Sequence, residues 1–483
     1  MGKLKKLALL IPVVLLISGC GPVEQQQAPQ PGPIDYLTQD ISWETCGDYE
    51  CATISAPLDW DFPEFESITL SLLRLNNPTT DEVVFLNPGG PGVSANQWMR
   101  DRGADIATNK IIDSFDLVTF DPRGVGESTA INCPDNNLKD ELLYGQAFSN
   151  EESKTLIDSY VENCQQNSGA IIEYVGTRNT ARDLELIRGL MDVPRVNFIG
   201  YSYGTELAAT YLALFPDRVG RFVLDGAVDP TIGARQSTIN QLIGFDNAFE
   251  NYLVDCVGQD CPLGVDLASA EQTVKGIFES VSNQSLPVGQ RELTTSGLVT
   301  GIIAALYQQS AWPILSDAFA DLLDGDGARM LFLADFYNER ENDGSYRGNL
   351  IDANIAINCA DDRLSSDPQE VDKLNEELLG FSEIFGESWQ DGHLMCAEWP
   401  GEPPSEKLNF TVATDSTPLV IGTTGDPATP YSQAESLSQI LDGAVLLTFE
   451  GEGHTIFGQG LSCIDRQVED YLIEGFVPQQ MFC

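Results

Sequence analysis

Short segments rich in apolar residues recur along the chain and predict strands at 83–87, 115–120, 195–199, 221–225, 418–422 and 444–449. Each is five or six residues long, and most are bounded by Gly or Pro. Between them the apolar spacing changes to that of amphipathic helices, as in Asn179–Met191 and Thr205–Phe215. Strands alternating with helices predict a mostly parallel sheet covered on both sides, an α/β architecture. From Pro230 to about Phe410 the pattern is different. Helix-like segments lie near 236–256, 267–282, 293–324 and 368–381, with no central strand among them. The expected organisation is a core over 41–229 and 411–483, interrupted by a helical cap over 230–410.

The first forty residues fit neither part. Lys3, Lys5 and Lys6 precede an apolar run from Leu7 to Ile17 that is too short, and too interrupted by Pro12, to span a membrane as a helix. Leu16-Ile17-Ser18-Gly19-Cys20 then resembles a bacterial lipoprotein signal. The resemblance implies removal of residues 1–19 and lipidation of Cys20. Residues 20–40 continue as a lipidated cysteine and a polar, proline-rich tether with nothing to build a core from. The expected location is outside the cytoplasm, membrane-anchored through lipid alone, at the outer membrane facing the periplasm or at the cell surface.

Chemistry concentrates where the predicted strands end. Gly200-Tyr201-Ser202-Tyr203-Gly204 lies between a strand and a helix, a Gly-x-Ser-x-Gly turn that exposes its serine as a nucleophile. A serine nucleophile needs a general base, and the chain has only two histidines, His393 and His454. His454 follows the strand 444–449 in a glycine-bounded loop near the chain's end, where the order Ser, Asp, His places the base. His393 has no strand before it. The orienting acid is then Asp426, in Thr423-Thr424-Gly425-Asp426-Pro427 after the strand 418–422; Asp225 and Asp229, after the strand 221–225, compete for the role. Asn87-Pro88-Gly89-Gly90-Pro91-Gly92 supplies a loop whose backbone N–H groups can approach an oxyanion. Gly90, chosen over Gly89, and Tyr203 are the expected donors.

Four segments in order, Asn87–Gly92, Asp121-Pro122-Arg123-Gly124-Val125-Gly126-Glu127-Ser128, Gly200–Thr205 and Gly425-Asp426-Pro427-Ala428-Thr429-Pro430, resemble the tripeptidyl aminopeptidase group of prolyl aminopeptidase-like α/β-hydrolases. The resemblance runs from about Ile41 to the carboxyl end. It implies an α/β-hydrolase fold with a mostly parallel central sheet and an inserted helical cap. The chain departs from the family where Val93-Ser94-Ala95 replaces further glycine and serine after Gly92. In such enzymes acidic groups from the cap side hold the substrate's amino terminus. The resemblance therefore points to Asp361 and Asp362, in Asn358-Cys359-Ala360-Asp361-Asp362, with Glu398 behind them. Arg123 is expected to pin neighbouring loops through a salt bridge.

Bulk composition changes this picture at two points. Of 11 cysteines, assigning Cys20 to lipid leaves ten, an even set suited to five disulfides in an oxidising compartment. Sequence neighbours suggest Cys46–Cys51, Cys133–Cys164, Cys256–Cys261, Cys359–Cys396 and Cys463–Cys483, although spacing alone does not fix connectivity. No cysteine pair has zinc-knuckle spacing, so no metal is expected, and the acyl-transfer chemistry calls for no cofactor. The net charge is −47, or −50 once Lys3, Lys5 and Lys6 leave with the signal. Such a surface repels nucleic acid and anionic membranes and favours cationic substrates, of which a peptide's amino terminus is one. The expected activity is that of an exported serine aminopeptidase releasing short peptides, tripeptides among them, from free amino termini. The same triad serves a carboxylesterase or amidase, and a non-catalytic binding protein on a hydrolase scaffold is the third reading. The pattern leaves the oligomeric state open.

Overall fold

The structure is a computed structural model that describes residues 35–145, 150–390 and 392–483. The predicted signal, Cys20 and most of the tether lie outside these residues. Residues Asp35–Cys483 form one unit around a ten-stranded sheet. Its strands are β1 (Glu44–Cys46), β2 (Tyr49–Pro57), β3 (Ser67–Leu75), β4 (Val83–Asn87), β5 (Asp116–Phe120), β6 (Val196–Tyr201) and β7 (Val219–Asp225). After a separate two-stranded ribbon, β8 (Leu286–Val288) and β9 (Arg291–Leu293), come β10 (Leu419–Gly425), β11 (Val445–Glu452) and β12 (Met481–Phe482). The sheet order is β1-β2-β3-β5-β4-β6-β7-β10-β11-β12, parallel from β5 to β12 and antiparallel from β1 to β5.

The six predicted strands are β4 to β7, β10 and β11. β4 and β5 are buried at every position, Asp116 and Thr119 of β5 included. The antiparallel strands β1 to β3 were not anticipated. β2 interleaves Thr53 and Ser55 with buried Ala52, Ile54 and Ala56, because only one of its faces is covered. Helices cover both faces of the parallel part. Thr177–Leu190 and Tyr203–Leu214 pack on one side through Leu184, Ile187, Leu207 and Ala208. Ala95–Arg102, Asn109–Ser114 and Ser462–Glu469 pack on the other through Met99, Ile111, Ile464 and Val468.

Between β7 and β10 lies a helical layer with its own core, including Phe245, Phe249, Tyr252, Phe319 and Phe385. Its helices include Ala234–Val257, Leu267–Asn283, Thr295–Leu306, Trp312–Leu323, Ala328–Tyr337, Leu350–Asp361 and Pro368–Phe381. The predicted helix over 293–324 is two helices, broken after Leu306 by a 3-10 turn at Gln309–Ala311, with Pro313 in the first turn of the second. Proline suits that position because its missing N–H is unneeded there. The helix Asn136–Tyr144 joins this layer from between β5 and β6: Tyr144 lies in its core, and Lys139 pairs with Asp352 at 2.8 Å, both buried.

Five disulfides link Cys46–Cys51, Cys133–Cys164, Cys256–Cys261, Cys359–Cys396 and Cys463–Cys483. Beneath the sheet's helices, Arg123 and Asp183 form a fully buried bidentate pair at 2.7 Å. The guanidinium also donates to the carbonyls of Pro57, Leu58 and Tyr174, which ties β2 to the segment before the helix Thr177–Leu190. A buried charge pair is tolerable only when its remaining hydrogen bonds are satisfied in this way.

Candidate active site

Strand register sets the site. Asn87 pairs with Gly200, Tyr201 with Asp225, and Gly425 with Glu452, so the carboxyl ends of β4, β6, β7, β10 and β11 share one edge of the sheet. The loops that follow carry Gly90, Ser202, Asp426 and His454. This is where an open parallel sheet places its ligands.

Ser202 sits between β6 and the helix Tyr203–Leu214 with φ 54° and ψ −125°. A non-glycine residue held there stores about 1–3 kcal/mol, and the sharp corner turns its side chain out of the sheet. The corner closes only around small residues. A Cβ on Gly200 would meet the Gly204 carbonyl oxygen at 2.4 Å, and one on Gly204 would meet the Asn87 carbonyl oxygen at 2.6 Å. The Ser202 N–H donates to the Asp225 carbonyl at 2.8 Å, which fixes the corner to β7.

Two candidates competed as oxyanion donors in the first glycine loop, and their hydrogen bonds separate them. Gly89 donates its N–H to Asn87 Oδ1 at 3.0 Å, whereas Gly90 lines the cavity beside Ser202. The amino end of the helix starting at Tyr203 faces the same region, with its first N–H groups free of helical partners.

His454 Nδ1 is 2.9 Å from both oxygens of Asp426, and the two side chains are buried. With Nδ1 donating to the carboxylate, Nε2 is left as the base. Asp426 is itself held by the N–H groups of Ala428 and Thr429 and by the Thr429 hydroxyl at 3.1 Å, which also lies 3.3 Å from His454 Nδ1. Burial alone would lower the imidazole's pKa, but Asp426, with Asp225 behind it, raises it above the usual histidine value. The cap contributes as well. The His454 N–H donates to the Tyr307 carbonyl at 2.8 Å, and the Tyr307 ring stands edge-on to the imidazole at 5.4 Å.

Asp225 and Asp229, the competing acids, have other partners. Asp229 accepts from Thr231 and Ser436. Asp225 is fully buried, and its Oδ2 accepts the N–H groups of Ile456 at 2.8 Å and Phe457 at 2.7 Å. It thus braces the loop just past His454, a role that spacing could not reveal. Burial raises its pKa to about 6 against the pull of those two N–H groups.

The cap carboxylates divide. Asp361 accepts from the N–H and hydroxyl of Thr177, whose hydroxyl also meets the Tyr203 hydroxyl at 2.6 Å. Asp362 accepts the Ala234 N–H at 2.7 Å. Both act electrostatically on Glu206, four residues after the nucleophile, whose pKa burial and these two neighbours push up to about 8. Glu206 was not singled out from the sequence, where it reads as an ordinary helix residue. Glu398 does not join them. It is exposed past the end of the helix His393–Ala397, and its backbone carbonyl accepts from Gln165.

Ser202, Gly90 and His454 line a cavity of about 340 Å³ together with Trp98, Tyr307 and Tyr337. Asp361, Asp362 and Glu206 are not among its lining residues; they lie beyond Tyr203.

Comparison with known proteins places this geometry among relatives. Residues 82–271 match the family described as alpha/beta hydrolase fold, and residues 382–483 match that described as TAP-like protein. The chain is 34% identical to serine protease Hip1 of Mycobacterium tuberculosis over 98% of this chain and 95% of that protein. It is 32% identical to carboxylesterase B of the same organism, covering 95% and 92% respectively. With tripeptidyl aminopeptidase of Streptomyces lividans the identity is 28%, covering 90% and 84%.

Proposed function

The chain belongs to the α/β-hydrolase family, with a TAP-like carboxyl-terminal segment, and from that premise we propose that it is an exported serine aminopeptidase that releases short peptides from free amino termini. The observation that carries the chemistry is the pairing of His454 Nδ1 with both oxygens of buried Asp426, in the wall of a cavity that Ser202 and Gly90 also line.

The reaction is two-step acyl transfer. Ser202 Oγ attacks the scissile carbonyl as His454 Nε2 takes its proton. The N–H groups of Gly90 and Tyr203 hold the oxyanion, His454 returns the proton to the leaving amine, and water activated by the same imidazole then releases the acyl group. Asp426 orients the ring and stabilises the imidazolium. Peptide substrates fit the relatives named serine protease Hip1 and tripeptidyl aminopeptidase.

Recognition of a free amino terminus falls to Glu206 with Asp361 and Asp362. Glu206 follows Ser202 by four residues, about 6 Å farther along the helix axis, on the far side of Tyr203 from the cavity. Burial and, after it, the two neighbouring carboxylates raise the Glu206 pKa, and an ammonium ion there would offset the carboxylates' repulsion. Export and a lipid anchor at Cys20 complete the reading, supported by five disulfides, which belong to oxidising compartments.

The test is hydrolysis of a tripeptide arylamide with a free amino terminus, its N-acetylated twin and a short aryl ester, with Ser202→Ala as the control. Cleavage of the free arylamide over its twin, lost in Ser202→Ala, is the expected result. Cleavage of the ester alone would instead favour the activity for which the relative carboxylesterase B is named.

A further inference from the structure

A second cavity adjoins the catalytic one. It measures about 830 Å³, and its lining shares Val93, Trp98, Arg102 and Leu350 with the cavity of Ser202, so the two meet along those four residues. Its floor is the helix Ala95–Arg102 and the loop Gly126–Asn132. Its roof is the cap segment from Glu339 to Leu350.

The walls are fixed. Asn349 donates to the carbonyls of Gly124 at 2.8 Å and Ile131 at 2.9 Å and accepts the Gly126 N–H, which fastens roof to floor. Behind the roof, Arg340 pairs with Asp140 through two 2.7 Å bonds. Charges of both signs face the groove, Asp101, Glu127 and Glu339 with Arg102 and Arg347, alongside the amides of Gln97 and Asn132. A lining of mixed charge and amides suits a polypeptide backbone and its varied side chains, and offers little to a hydrocarbon chain.

We infer that this groove binds the polypeptide on the leaving-group side of the scissile bond. The inference rests on the peptidase reading above and extends it. No lining residue of the groove comes from the Tyr203, Glu206 and Asp361 neighbourhood assigned to the substrate's amino end. The catalytic cavity that joins it contains His454, the group that protonates the departing amine. The helix on its floor has eight residues and runs about 12 Å, the span of three or four residues of extended peptide. An enzyme that trims only small peptides needs no such extension. One that works on long polypeptides does.

The experiment compares kcat/KM for internally quenched peptides with a fixed acyl segment and one to five residues on the leaving side, beside a series extended on the amino side. Wild type, Ala130→Trp and Gly348→Trp are measured, with near-ultraviolet circular dichroism as the check on folding. In wild type, kcat/KM rises by at least about tenfold over the first three or four leaving-side residues and then levels. Both tryptophan variants lose most of that ratio. A flat leaving-side series, a gain confined to the amino side, or a gain that survives both tryptophans overturns the groove while leaving the peptidase reading intact. Cleavage of the aryl ester with no peptide cleaved at all overturns both.

Discussion

Asp225 offers the sharpest test of how the catalytic base is held. Asp225→Asn keeps the shape and one acceptor oxygen but removes the charge that receives the Ile456 and Phe457 N–H groups. A charge-assisted bond is about twice as strong as a neutral one, so two such bonds weakened by about 1 kcal/mol each loosen the His454 loop by about 2 kcal/mol. The new amide hydrogens add to this, because one carboxylate oxygen, Oδ1, is buried with no partner among the described residues. Expressed wholly in the population of the productive loop, 2 kcal/mol is a loss of about 30-fold in kcat/KM. Asp426→Asn, which reverses the imidazole's tautomer, is expected to lose about 10⁴-fold. The pH profile gives an independent reading. Asp225 raises the His454 pKa, and the base works only when neutral, so removing the charge moves the acid limb of kcat/KM to lower pH. The assay is hydrolysis of a short chromogenic ester from pH 4 to 9 by wild type and both variants. If Asp225→Asn loses as much as Asp426→Asn, the acid has been misassigned. If it is as active as wild type with an unmoved acid limb, the brace is absent.

Two further outcomes follow from the same contacts. Arg123→Met strands the Asp183 charge and three carbonyls in the interior, a loss of about 3–5 kcal/mol that lowers the melting temperature of a unit this large by about 3–5 °C, while kcat on the short ester at low temperature stays near wild type; a collapse in kcat without a thermal shift would instead make Arg123 part of the chemistry. Glu206, with its pKa near 8, ionises over the same range in which a substrate's α-amino group loses its charge, so binding of a free-amine peptide is tightest near pH 8, and Glu206→Gln removes the ascending side of that bell in 1/KM; an unchanged KM profile would free Glu206 of that role.

The strands that build the core were legible because β4 to β7, β10 and β11 each carry a short cluster of apolar residues, most of them bounded by Gly or Pro. Ser202 and His454 were legible from one motif and a shortage of histidine, and Asp426 from its place after β10. What escaped depends on partners distant in sequence. Asp225 looked like a competing acid until the N–H groups of residues 456 and 457, more than 230 positions away, were seen to end on it. Glu206 gains its raised pKa from burial in the folded protein and from Asp361 and Asp362, more than 150 positions away in the chain. Apolar periodicity carried the helix over 293–324 straight through its break, because the reason for ending at Leu306 is tertiary: Tyr307 leaves the helix to meet His454.

That last contact limits how freely the two parts of the molecule can be exchanged in evolution or in design. An insertion that only shaded the cleft could be trimmed, or replaced by a relative's, at no expense to the underlying reactivity. Here the inserted layer supplies an acceptor for the base's own backbone N–H and an aromatic edge against its ring. A chimera carrying a foreign lid would therefore inherit a mistuned proton acceptor along with its new selectivity. A minimal version with residues 230–410 excised would lose turnover as well as discrimination.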